Sequence, residues 1–349
     1  MNSFGRIFRV NIFGESHGEY VGVVIDGCPV GIPLIVQDFS DDLERRKAGA
    51  KGTTPRKEDD APEMVSGVFN NKTTGSPITI LFKNSNIRSS DYQKQRSVPR
   101  PGHADFVASK KFDGFQDYRG GGHFSGRLTV ALVAAGVVAK KILDLTPESG
   151  NALAFGEGLG EVKRGITITS QILEIGGEID LDKGLQKAID AKDSIGGIIE
   201  CRVNELPIGL GEPFFDSAES LISHAVFAIP AVRAIEFGTG FSAAKMFGSR
   251  HNDSIENATG KTKTNHAGGI VGGLTNGNEL VFRIAIKPTS STPQEQRTLN
   301  IETNKVESFS VKGRHDLCIA LRVPVVLESV TAIVLADLLL LSKKISQPL

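Results

Sequence analysis

The chain has 349 residues, enough for one large domain or two closely joined ones with a sizeable core. Lys plus Arg number 40 and Asp plus Glu number 40, which excludes the global basic field that drives nucleic-acid binding, so any anion site has to be a local cluster. Its three cysteines, Cys28, Cys201 and Cys318, form no CxxC pair and are odd in number, which argues against a disulfide framework or a zinc site and points to a reducing cytoplasm.

In chain order, the N-terminal stretch MNSFGRIFRV carries charge and no long apolar core, so no secretory signal is expected. The apolar-rich run IFRVNIF reads as a strand ending in GESHGEY, where Gly14 and Gly18 bracket Glu15, Ser16 and His17. Glycines there permit a tight turn and leave backbone amides open to a ligand. Strand-like runs follow at Tyr20 to Cys28, Ile78 to Lys83, Gly165 to Ile175, Gly196 to Val203 and Leu280 to Lys287, rich in isoleucine and valine with partial alternation. Helical patterns cover Asp41 to Lys47, with Gly49 as its stop, then Arg127 to Leu143, Asp216 to Ile229 and Val325 to Leu341. The polar stretch from Lys47 to Ala61 reads as a mobile loop. The apolar run from Leu128 is too short to span a membrane, and the one from Val323 contains Glu328 and Asp337, so both are expected to be buried core helices. Strands and helices mix without strict alternation, which favours α+β over a doubly wound parallel sheet.

Chemistry-bearing residues gather in glycine-rich polar segments between these elements. One segment sets Arg45, Arg46, Lys47, Lys51, Arg56 and Lys57 close together, and RPGHADF places Arg100 three residues before His103. YRGGGHFSGR joins three glycines to His123, Ser125 and Arg127 just before a helix, where free amides and the helix dipole favour a phosphate. KPTSS supplies Lys287, Thr289, Ser290 and Ser291 at a strand end, and GRHD supplies Arg314, His315 and Asp316. Each segment alone has an ordinary reading as a turn or a solvated face. No GxGxxG opens a βαβ unit, so a dinucleotide fold is not indicated. Several cationic, hydroxyl and imidazole loops in one neutral chain suit binding of a phosphorylated acid.

Taken together, FGESHG, DLERR, TTPRKEDD, SGVFNNKTTGSPI, RPGHADF, YRGGG, DSIGG, LPIGLGEPFFD, NHAGGIVGG, KPTSS and GRHD resemble the chorismate synthase family, in that family's order and over nearly the whole chain. The resemblance implies a single domain over residues 1–349 with an α+β fold, a β-α-β sandwich, assembled as a homotetramer in the cytoplasm. It implies conversion of 5-enolpyruvylshikimate 3-phosphate to chorismate, a 1,4-anti elimination of phosphate that needs reduced FMN without net redox change. Some members also reduce flavin with NADPH, yet this sequence has no nicotinamide-binding fingerprint.

By the same resemblance, His17 matches the histidine that protonates the departing phosphate and His103 the one that protonates the reduced flavin, while Asp316 matches the carboxylate that helps remove the C6 proton. Imidazole titrates near neutral pH, which suits both histidine roles. Ser16, Arg46, Arg100, Ser125, Arg127 and Arg314 match residues around the substrate, whose two carboxylates and one phosphate call for several guanidinium forks. His123, Phe124, Ser125, Pro230, Ala231, Gly272, Lys287, Pro288, Thr289, Ser290, Ser291 and Arg314 match the flavin site. No metal is implied. The chain departs from the common family pattern at His123 and Phe124, at Pro230 and in the loop around Lys51, which bears on flavin affinity and one substrate contact.

Overall fold

The computed structural model describes residues 2–54, 59–85, 96–144, 165–311 and 315–345. Arg314, and Arg56 and Lys57 of the basic segment, lie outside the described residues.

The N-terminal half supplies strands β1 (Ser3–Phe4), β2 (Arg9–Gly14), β3 (Tyr20–Asp26), β4 (Glu63–Ser66), a small ribbon of β5 (Val68–Phe69) and β6 (Lys72–Thr73), and β7 (Ile78–Lys83), with helix α1 (Ser40–Arg46) between β3 and β4. Five of these strands form an antiparallel sheet in the order β1-β2-β3-β7-β4. Alternation decides its faces: Val21, Val23 and Ile25 pair with Phe82, Ile80 and Ile78 across the ladder, and all six are fully buried on one side.

Helices α2 (Asp105–Lys111) and α3 (Thr129–Leu143) come next, followed by β8 (Thr167–Ile175), α4 (Leu181–Ala191), β9 (Gly197–Asn204), α5 (Ala218–Val226), β10 (Val232–Phe237) and the short α6 (Gly248–His251). The ribbon β11 (Ile270–Val271) and β12 (Leu274–Thr275), strand β13 (Leu280–Ile286), the hairpin β14 (Gln296–Asn300) and β15 (Lys305–Phe309), and helix α7 (Pro324–Ile345) complete the chain. A second antiparallel sheet runs β10-β13-β9-β8, with Leu280, Phe282 and Ile284 facing Val203, Cys201 and Ile199 across its buried centre.

Between the sheets lies a helical layer. Helix α3 packs on β3 and β7 of the first sheet, α7 packs on β8 and β9 of the second, and the two helices pack on each other. The result is the expected β-α-β sandwich. Both helices are apolar all round because both are covered all round. Their crossing needs a small residue: a Cβ on Gly136 would stand 2.3 Å from Cβ of Ser329. Helix α7 is long and apolar enough to cross a membrane, yet 89% of its most apolar stretch is buried inside the protein. Its two acids are anchors. Asp337 accepts the backbone N–H groups of Arg6, Ile7 and Phe8, and Glu328 accepts from Arg45 at 2.6 Å and from the backbone N–H and hydroxyl of Ser170.

All five strand-like runs are strands, and the four helical patterns are helices with shifted ends. Helix α1 stops at Arg46 rather than near Gly49, because Lys47 turns to ψ 155° and needs no glycine to leave the helix. Helix α3 starts two residues after Arg127, because Ser125 caps a 3-10 turn over Gly126–Leu128 instead. Helix α5 starts after its cap Ser217, past Asp216.

Candidate active site

A cavity of about 540 Å³ opens between the helical layer and the glycine-rich loops. The end of α1, Thr54, Asp60, the Arg100–Ala104 loop, the turn before α3, the loop between α5 and β10, the segment after β13, and the turn before α7 all contribute to its wall. It gathers Arg46, Arg100, His103, His123, Phe124, Ser125, Arg127, Pro230, Ala231, Lys287, Thr289, Ser290, Ser291 and Asp316 from distant parts of the sequence. Four expected residues among those described do not line it: Ser16 and His17 lie behind Gly120, and two more stand elsewhere. Gly272 sits in open space at the β11–β12 turn, and Pro288 packs back towards Gly196.

Three consecutive glycines shape one wall. Gly120, Gly121 and Gly122 have φ of 60°, 83° and 53°, a left-handed run that other residues adopt only with strain. Gly122 accepts from the Ser16 backbone N–H at 3.1 Å, and His123 Nδ1 lies 3.0 Å from the Gly14 carbonyl, so the glycine turn is stitched to the Glu15–His17 turn. Ser16 and His17 are buried, at 1% and 5% exposure, directly behind Gly120. Among the described residues the Ser16 hydroxyl has no hydrogen-bond partner. Gly120 lines the cavity and Ser16 does not, so this unpartnered hydroxyl reaches a ligand only past Gly120.

His103 is oriented by an acid. Its Nδ1 lies 2.6 Å from Oδ1 of Asp105 and 3.1 Å from Nη2 of Arg100. A ring nitrogen cannot donate to one and accept from the other, and the shorter contact to a carboxylate decides for Nδ1–H donating to Asp105, with Nε2 turned to Gly121. Burial pushes the Asp105 carboxyl up, but hydrogen bonds and charge from Arg100 and His103 outweigh it and hold the group well below its ordinary range. Arg100 also reaches the Ser291 hydroxyl at 3.0 Å, tying this loop to the segment after β13.

The electrostatic centre is Asp60, whose side chain is 1% exposed. One of its oxygens accepts from Arg46 Nη1 at 3.0 Å and the other from Arg127 Nη1. Asn84, at the end of β7, accepts from Arg127 Nε at 2.9 Å and donates to the carbonyls of Glu15 and Gly18, linking the arginines to the His17 turn. Burial pushes the Arg46 guanidinium down to about 9, against the pull of Asp60 and helped by the repulsion of Arg322 and Arg127. Among the described residues, three guanidiniums around this end of the cavity face two carboxylates, Asp60 and Asp316, so positive charge is in surplus there. Asp316 accepts from the Thr54 backbone N–H at 2.8 Å and from Arg322 Nη1 at 3.3 Å.

Lys287 donates to the Gly102 carbonyl at 3.1 Å and to Ser290 Oγ at 2.8 Å, and burial, then the nearby Arg233, lower its pKa. Phe124 is 41% exposed and packs against Phe112. Sequence reasoning gave no role to Asp60, Asp105, Asn84 or Arg322. Asp105 carried a signal, since an acid two residues after a histidine can fix its tautomer. Asn84 and Arg322 carried none, because their partners are remote in sequence.

Chorismate synthase is the family whose model matches this chain, over residues 8–340. A chorismate synthase of Chitinophaga pinensis is 66% identical over 99% of this chain and 98% of its own, and one of Dehalococcoides mccartyi is 44% identical over 97% and 96%. A crystal structure of chorismate synthase superposes with a TM-score of 0.68 at 25% identity, covering 96% of this chain and 92% of that one. The cavity, its surplus positive charge and its two oriented histidines thus stand in a chain that belongs to the chorismate synthase family.

Proposed function

We propose that this cavity converts 5-enolpyruvylshikimate 3-phosphate into chorismate with reduced FMN, and that His17, His103 and Asp316 do the proton work. The observation that carries the reading is the arginine cluster on Asp60. A substrate with two carboxylates and a phosphate fits a dry site whose guanidiniums outnumber its acids. The reaction removes a proton from C6, breaks the bond from C3 to the phosphate oxygen, and leaves a new double bond with no net redox change.

Within that reaction Asp316 takes the C6 proton, its second role after holding Thr54 and Arg322. His17 gives a proton to the departing phosphate past Gly120, whose missing side chain leaves the way open. His103 takes up and gives its proton at Nε2, since Nδ1–H is committed to Asp105. Arg100, Ser125 and Arg127 line the substrate space, Ser16 lies behind Gly120, and Arg314 is assigned to the substrate by the family likeness alone.

The residues present fit a flavin. Lys287 with the hydroxyls of Thr289, Ser290 and Ser291 would hold its phosphate edge, with His123, Phe124, Ser125, Pro230 and Ala231 along its ring. When bound, reduced FMN lends electron density to the elimination and recovers it. Gly272 and Pro288 do not line this cradle.

We also read the enzyme as a cytoplasmic homotetramer. Between Pro324 and Ser342 the C-terminal helix is mostly covered within the subunit, so little of that stretch is left for assembly. The apolar surface for it comes instead from Phe214, Phe215, Phe241 and Phe247, each at least 80% exposed. The test of function is chorismate formation from the phosphorylated substrate, measured anaerobically with chemically reduced FMN. No chorismate from folded protein would overturn the reading.

A further inference from the structure

We propose that Arg322 is a direct substrate ligand, taking a carboxylate or the phosphate of the anionic substrate with its Nη2 edge, and that Arg46 is a support for the site rather than a clamp. This rests on the functional reading above. The argument is a count of donors. A guanidinium has five N–H groups in a fixed fork.

Arg46 spends four of them inside the protein: Nε on the Thr129 hydroxyl, one Nη1 hydrogen on Asp60, and both Nη2 hydrogens on the carbonyls of Gly126 and Arg127. With side-chain exposure of 4%, it supplies field and rigidity but no free fork. Arg127 spends three, on Asn84, Asp60 and the Lys83 carbonyl. Arg100 likewise spends three, two on Asp105 and one on Ser291.

Arg322 spends only two, Nε on the Arg46 carbonyl and one Nη1 hydrogen on Asp316. Among the described residues, both hydrogens of its Nη2 and one of Nη1 have no partner. Its side chain is 23% exposed, and it lines the cavity beside Asp316. With Nε and one Nη1 hydrogen holding the group in place, both Nη2 hydrogens and the other Nη1 hydrogen are left to take a carboxylate or phosphate oxygen pair. Its bond to Asp316 also sets the substrate anion next to the proposed base.

The test is titration of 5-enolpyruvylshikimate 3-phosphate into the full-length protein loaded with oxidised FMN, for wild type, Arg322→Gln and Arg322→Lys. Losing a charge-assisted fork should weaken substrate binding by roughly 10- to 100-fold in Arg322→Gln. Arg322→Lys keeps the charge without the fork and should fall between; FMN affinity should change less than about threefold in both. If Arg322→Gln does not fold, Arg322→Lys alone decides, with unchanged substrate affinity counting against the proposal. Wild-type substrate affinity in folded Arg322→Gln, with turnover alone reduced, would show that Arg322 only positions Asp316. A wild-type protein that binds FMN but not this substrate would overturn the functional reading itself, and the Arg322 assignment with it.

Discussion

Gly120 stands so close to the His17 ring that a methyl group on its Cα would lie 2.5 Å from Cδ2 and 2.7 Å from Nε2. Real side chains do not approach this closely, so the ring or the turn has to move. The φ of 60° adds strain of about 1 kcal/mol for any residue with a Cβ. Gly120→Ala is therefore expected to lower turnover far more than stability. Chorismate formation should drop by more than about tenfold while the melting temperature falls by only a few degrees. Turnover within twofold of wild type would mean that His17 tolerates displacement.

Asp60 gives the second prediction. Replacing it by Asn removes the one carboxylate that bridges Arg46 and Arg127, leaving two buried cations against each other. Breaking such a pair costs about 3–5 kcal/mol. An added anion should restore part of this loss. In denaturant melts, Asp60→Asn is expected to gain more stability from 50 mM phosphate than the wild type gains, where 50 mM is roughly the scale at which surface charges are screened. Equal gains in the two proteins would remove the charge argument and leave Asp60 as a packing residue.

How much of this was legible in the sequence differs between scaffold and site. The five strands that were read carry period-two runs such as Val21, Val23 and Ile25, and burial on one face is what that pattern encodes. Helix α4 went unread although Asp180 caps it at the Lys183 N–H and Leu181, Leu185, Ala188 and Ile189 recur at helical spacing, so a local signal was present there. The acids of α7 were read as arguments against a membrane span. Their partners, three N–H groups from Arg6 to Phe8 for Asp337 and Arg45 with Ser170 for Glu328, come from the other end of the chain and from another sheet, so no local pattern predicts them. In the site, His17, His103 and Asp316 were singled out from the sequence, whereas the carboxylates that orient arginines, Asp60 and Asp105, were not. An ion pair is a property of folded distance. It leaves no period behind.

Acid sensitivity follows from Asp105. Its folded pKa lies well below the usual carboxylate range, because Arg100 and His103 outweigh the effect of burial. A depressed carboxylate adds stability that is fully present above the unfolded value and is lost as pH falls below about 4. Asp105→Asn should thus be less stable than wild type at pH 7 and should converge on it between pH 4 and pH 2. Despite burial, Glu328 is also held below the ordinary range by Arg45, Lys140 and Ser170, and it acts in the same direction. Stability measured by circular dichroism against pH checks this, and a constant gap between variant and wild type down to pH 2 would contradict it.

The last prediction separates acid from scaffold at His17. The ring is buried behind Gly120, next to the unpartnered Ser16 hydroxyl and on a turn held by Asn84, so it is fixed in place as a positioned proton donor must be. If it protonates the departing phosphate, His17→Asn should lower the chemical step by a factor on the order of 100 to 10,000. Substrate and FMN affinities should change far less, because the arginine cluster and the Lys287 segment are untouched. Asn keeps a polar group of moderate size at the turn, so a purely structural histidine would leave the chemistry of the folded enzyme nearly intact. Single-turnover chorismate formation with saturating substrate and reduced FMN measures that step directly, free of product release. His17→Asn protein that binds both ligands and forms chorismate at close to the wild-type rate would assign the proton to another donor and return His17 to the scaffold.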